Sequence, residues 1–165
     1  MHNFVKLVQA NGKGLMIPAE AITIVRTLDA KEKEKNPAGK SGVWLSLNGV
    51  CQHAMVRESF GFILRKAGGS SADRIQLTGM GGTKLSMPRG AFAHAIESER
   101  VEKDAKGNET EREDATIVNT HLHGNAGAVA FFVKETSEEL YDMLNAEVSE
   151  DDGSDDEDDD ETDAD

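Results

Sequence analysis

Residues 5–27, VKLVQANGKGLMIPAEAITIVRT, can be laid over residues 75–97, IQLTGMGGTKLSMPRGAFAHAIE, at a constant offset of 70 with no gap. Val5 then meets Ile75, Leu7 meets Leu77, Gly12 meets Gly82, Leu15 meets Leu85 and Pro18 meets Pro88, while Ala21-Ile22 meets Ala91-Phe92. A second block, Met55-Val56-Arg57-Glu58-Ser59, meets Phe132-Val133-Lys134-Glu135-Thr136 at an offset of 77, and Ile63 then meets Leu140. Agreement of residue type, order and register over two blocks points to a tandem duplication, which restricts the chain to folds that use one short unit twice. The extra residues of the second copy fall in a charged loop and a hairpin turn, where added length costs little.

Each unit reads in the same order. A first strand (Phe4–Gln9; Ile75–Thr78) leads to a turn at Asn11-Gly12 or Gly81-Gly82, where glycine supplies the positive φ of a tight hairpin. A short second strand stops at Pro18 or Pro88, because proline cannot donate to a ladder. A third strand follows (Ile22–Thr27; Phe92–Ile96), then a highly charged loop (Asp29–Ser41; Glu97–Asp114). The fourth strand is Val43–Leu47 in one copy, with Val43, Leu45 and Leu47 alternating with Trp44 and Ser46, and Thr116–His121 in the other. A fifth strand (Gln52–Val56; Ala128–Val133) feeds a helix. Ser59 is the expected cap of the first helix, with Phe60, Ile63 and Leu64 on its apolar side. Thr136-Ser137-Glu138-Glu139 is a capping box for the second, in which Leu140, Met143 and Leu144 share one face.

The expected fold class is therefore α+β: two tandem copies of a mostly antiparallel five-strand unit, each ending in a short helix. Neither copy alone buries a large core, so the two are expected to pack as a pseudo-dimer about a pseudo-two-fold axis. The boundaries are 1–67 for the first repeat, 68–73 for a Gly/Ser linker, 74–146 for the second repeat and 147–165 for an acidic tail.

Charge separates that tail from the body. The net charge is −13, yet 13 of the 31 Asp and Glu lie in 147–165, so residues 1–146 hold as many acids as their 18 Lys and Arg. A run such as Asp155-Asp156-Glu157-Asp158 repels itself and buries nothing, so the tail is expected to be disordered. It could dock a basic protein surface or serve solubility. One cysteine, Cys51, leaves no intramolecular disulfide, and a reducing, cytoplasmic setting is expected. The N-terminus lacks a signal-peptide pattern, and no apolar run is long enough for a membrane helix.

The order of strand, Asn-Gly turn, Ile-Pro, strand, charged loop, alternating strand and Val-Arg-Glu-Ser before an amphipathic helix resembles the small flagellar FlbD-like family. The residues that carry it are Asn11-Gly12, Ile17-Pro18, Ile22, Val25, Val43, Leu45, Leu47-Asn48-Gly49 and Val56-Arg57-Glu58-Ser59. The second copy keeps Pro88, Phe92, Ile96 and Val133-Lys134-Glu135-Thr136 but lacks the second Asn-Gly. More distantly the pattern is similar to the β-rich half of LytTR-type DNA-binding domains, without the basic, aromatic segment they place after the helix. The resemblance covers residues 4–66 and 75–144. It implies a small non-enzymatic accessory factor and carries over no catalytic residue.

Few constellations suggest chemistry. His121 and His123 share a strand face and are weak metal candidates, but no third ligand is near in sequence. Thr78–Lys84 looks faintly like a phosphate loop, yet it aligns with the first hairpin turn and no helix follows. Cys51 and His53 share a face, with nothing evident to orient the histidine. Glu58 and Glu135 are expected to complement the helix N-termini that follow them. No catalytic residue and no cofactor is expected. The charged loops are the better candidates for a partner: Lys31, Lys33 and Lys35 in one, Arg100 and Lys103 in the other, with Asp155, Asp156, Glu157 and Asp158 in the tail. The expected role is a non-catalytic binding or accessory protein acting through protein–protein contacts. The alternative is a single-stranded nucleic-acid binder whose acidic tail mimics phosphate, set against a neutral body with few aromatics.

Overall fold

The computed structural model describes residues 3–67 and 73–146; the expected linker, except Asp73, and the acidic tail lie outside them. The strands are β1 (Phe4–Val8), β2 (Gly14–Pro18), β3 (Ile22–Thr27), β4 (Ser41–Leu47), β5 (Val50–Val56), β6 (Arg74–Thr78), β7 (Lys84–Pro88), β8 (Phe92–Lys103), β9 (Glu109–Gly124) and β10 (Gly127–Val133). The helices are α1 (Ala30–Lys35), α2 (Phe60–Lys66) and α3 (Ser137–Asn145). The fold is mixed α+β and strand-rich, and every strand pairing is antiparallel.

Local signals explain most of these elements. Gly12 sits at φ 91°, and Gly81 and Gly82 at φ 79° and 81°, so the β1–β2 and β6–β7 turns use the left-handed region. Asn48 and Gly49 are both left-handed, as a two-residue hairpin between β4 and β5 requires. Pro18 and Pro88 end their strands, and a single 3-10 turn follows each (Ala19–Ala21; Arg89–Ala91). Ser59 Oγ accepts from the Phe62 N–H at the start of α2, and α3 begins in a full Thr136–Glu139 capping box.

The described residues form three sheets, ordered β1-β2, β10-β9-β8 and β5-β4-β3-β7-β6. The five-stranded sheet crosses the molecule's midline: β3 pairs with β7 through Val25↔Ser86 and Arg26↔Leu85. A two-fold axis would bring β8 and β2 together in the same way. Each is instead a sheet edge, so the arrangement of strands is not two-fold. Two buried clusters fill the interior. Val5, Leu7, Ile17, Val25, Val43, Leu45, Val56 and Ile63 belong to one. Ile75, Leu77, Leu85, Met87, Val118, Val133 and Leu140 form the other, joined by Ile24 from β3.

The bulge in β3 explains how Ile24 gets there. In a regular strand Ile22 and Ile24 would share a face. The register shifts between them, and Ile22 enters the first cluster while Ile24 enters the second.

The charged segments differ from expectation. Residues 29–35 are not an open loop: Asp29 caps α1, Oδ1 accepting from the Glu32 N–H, while Glu32 Oε1 accepts from the Asp29 N–H. Residues 97–114 are mostly ladder, since β8 and β9 run on as a long ribbon that turns only at Asp104–Asn108. Ion pairs across the ribbon offset the acid-on-acid pairs Glu99↔Asp114 and Glu102↔Glu111: Arg112 reaches diagonally to Glu99 at 2.5 Å, and Arg100 lies opposite Glu113.

Candidate functional site

Two features stand out: a cleft where β4 and β5 face β10, and an uncovered apolar surface. The cleft is built around Trp44. Its ring centroid lies 4.3 Å from that of the His53 imidazole and 5.0 Å from that of Phe131, which meets it edge-to-face, and the Arg26 guanidinium lies 5.5 Å from it. Glu32 of α1 holds Arg26 at 2.5 Å, and Arg26 Nε is buried with no hydrogen-bond partner among the described residues. Gly42 makes room for the imidazole: a Cβ there would meet His53 Nε2 at 2.8 Å. Three neighbours crowd the Trp44 ring, so it is not an open platform on which a base could stack.

His53 keeps an exposed edge, yet the partial burial of its ring lowers its pKa from the ordinary 6.5, Arg26 lowers it further and Glu32 partly opposes them. The folded state thus binds this proton less readily than the unfolded one. The stability from neutral His53 is whole above 6.5 and is lost as pH falls through the depressed value. Urea unfolding from about pH 8 to about pH 5 is expected to show that loss, and His53→Gln to remove the part belonging to this residue. Cys51, two residues back, is buried, and burial raises its thiol pKa.

The uncovered surface lies on the other face of the β8–β9–β10 sheet. Ile117 is the direct partner of both Ile96 and Phe132, so the three form a row across the strands. Ile96 and Phe132 are exposed. The β1–β2 hairpin carries further exposed apolar side chains, Phe4, Val8 and Met16. The sequence pattern named none of these as a site. The alternation in Phe92–Ile96 was the available signal, but it cannot say which face has a neighbour.

The sequence-predicted residues are scattered. Lys31, Lys33 and Lys35 are exposed on α1, and Lys33 lines a groove with Gly81, Gly82 and Thr83. Arg100 does not reach the Trp44 cleft; it lines a separate pocket with Arg26, Asp29, Leu85 and Phe131, while Lys103 is exposed near the ribbon tip. The tail residues Asp155, Asp156, Glu157 and Asp158 lie outside the described residues. His121 and His123 are exposed on β9, and among the described residues no group of three or more His, Cys, Asp or Glu could hold a metal ion.

Glu58 and Glu135 act differently from the helix-terminus role expected of them. Both oxygens of Glu58 accept from the Val8 N–H at 3.0 and 3.1 Å, and both oxygens of Glu135 accept from the Thr78 N–H at 3.0 Å. These donors sit at the ends of β1 and β6 and need an acceptor. The carboxylates clamp strand to strand, while Ser59 and Thr136 serve the helices. No described helix is long and apolar enough to cross a membrane. No protein-family model, curated protein or solved structure matches the chain.

Proposed function

We propose that the chain is a non-catalytic binding module that acts through protein–protein contacts and is built from two copies of one β-rich unit. The observation that carries the binding role is the Ile96–Ile117–Phe132 row, half-buried at Ile117 and exposed at Ile96 and Phe132, on a three-stranded sheet with an open edge among the described residues. An apolar row at a free edge favours a protein surface over a polyanion. Support for the two copies comes from matched detail. The β1–β2 and β6–β7 registers are identical after a shift of 70, as are the bulges at Ile22/Ile24 and Phe92/His94. The Glu58 and Glu135 clamps and the Gln9↔Val56 and Gly79↔Val133 bridges also correspond.

The test is affinity capture with the full chain as bait, beside a variant carrying Ile117→Asp and Phe132→Asp that retains the native melting profile. The expected result is a set of proteins held by the native chain and lost by the variant. Titration of labelled single-stranded DNA at low salt runs in parallel. Salt-sensitive DNA binding with no protein partner would overturn this reading in favour of nucleic-acid binding.

A further inference from the structure

We propose that the chain associates with further copies of itself head to tail, the free edge of β8 in one molecule pairing with the free edge of β2 in the next. This rests on the reading that the two halves are copies of one unit. Within the chain, β3 of the first half pairs with β7 of the second through Val25↔Ser86 and Arg26↔Leu85. The 70-residue shift converts these pairs into Ala95↔Met16 and Ile96↔Leu15, with Ala95 and Ile96 on β8 and Leu15 and Met16 on β2. Neither strand has a partner on that side among the described residues.

Exposure at matched positions identifies what is missing. Ser86, covered by β3, is 3% exposed, while its counterpart Met16 is 64% exposed. Arg74 is half-buried and donates to Ser86 Oγ and to the Thr23 carbonyl across the internal seam. Its counterpart Phe4 is 58% exposed. Arg26 is half-buried against Trp44, and its counterpart Ile96 is 54% exposed. At each of these positions the seam inside the chain uses a polar side chain, and the uncovered equivalent is apolar. Apolar residues left bare where an internal contact has its counterpart are what a second copy would cover.

The contact is heterologous, since β8 of one molecule meets β2 of another. It does not close after two copies and extends to a ring or an open filament. The seam is also less apolar at depth than the internal one. His94 stands where β3 has Ile24, and register places Asn119 where β4 has Trp44. The charged run beyond Ile96 confines pairing to the start of the β8 edge. Association is therefore reversible and concentration-dependent.

The experiment is sedimentation velocity on the full chain over a concentration series, with Met16→Lys and Ile96→Lys variants whose melting profiles match the native chain. The native chain is expected to exceed its 17.8 kDa monomer mass as concentration rises. Each variant is expected to remain a monomer. A mixture of the two is expected to form a dimer, because Met16→Lys leaves the β8 edge intact and Ile96→Lys leaves the β2 edge intact. A native chain that stays monomeric overturns the proposal, as does association that survives both substitutions or is not restored by mixing. A monomer that still loses captured proteins on Ile117→Asp and Phe132→Asp would end the self-association proposal alone. A monomer that captures none would end both readings.

Discussion

Ile24→Ala is expected to lower the unfolding free energy by about 2–5 kcal/mol, the range for removing a fully buried isoleucine side chain beyond Cβ. Ile24 is 0% exposed and lies among Leu77, Leu85, Met87 and Val118, although it is covalently part of β3. The loss is therefore felt in the second cluster from a strand that also lines the first. Ile63→Ala, at the centre of the first cluster on α2, is expected to cost a similar amount. Both variants are expected to shift one cooperative transition in urea, followed by far-ultraviolet circular dichroism and by Trp44 fluorescence. The β3–β7 ladder and the Trp44–Phe131 contact tie the halves together. Two separate transitions, with Ile24→Ala moving only one, would show that the halves fold independently.

Leu140→Ala is expected to cost about 2–5 kcal/mol, while Tyr141→Ala stays within about 0.5 kcal/mol of the native chain. The residues are adjacent on α3, but Leu140 is 1% exposed and Tyr141 is an exposed side chain. Nothing else fully buried on α3 replaces Leu140, although Met143 and Leu144 pack against the same cluster. Arg89 Nη1 donates to the Met143 and Leu144 carbonyls, satisfying acceptors at the helix end. Circular dichroism melts of the two variants would separate the roles, and equal losses would show that the helix is held by its surface rather than by Leu140.

The elements most legible in the sequence were those set by short-range physics. Asn11-Gly12, Gly81-Gly82 and Asn48-Gly49 marked turns because few other residues accept positive φ. Thr136 and Glu139 marked a helix start because they satisfy each other's backbone donors. The same reciprocal capping holds at Asp29 and Glu32, but the charge of Lys31, Lys33 and Lys35 masks it, because a run of charged residues has the composition of a loop. The β8–β9 ribbon was hidden for another reason. Glu99, Arg100, Arg112 and Glu113 look like a solvated run until they are set across from one another.

Apart from α1 and the outer part of the β8–β9 ribbon, the kind and order of the local elements follow from the chain alone, because alternation, caps and turn residues act within a few positions of one another. The sequence also determines that the body is neutral and the acid lies at the C-terminal end. Which strand lies beside which is set by long-range packing. The β3–β7 junction is two residue pairs long and has no local signature. The bulge after Ile22 sends Ile24 into the other half's core, and no count of alternating residues announces that turn. The same holds for the uncovered row. Ile96, Ile117 and Phe132 are ordinary strand residues in sequence, and they become a candidate surface only because folding sets them in one row and leaves Ile96 and Phe132 exposed among the described residues.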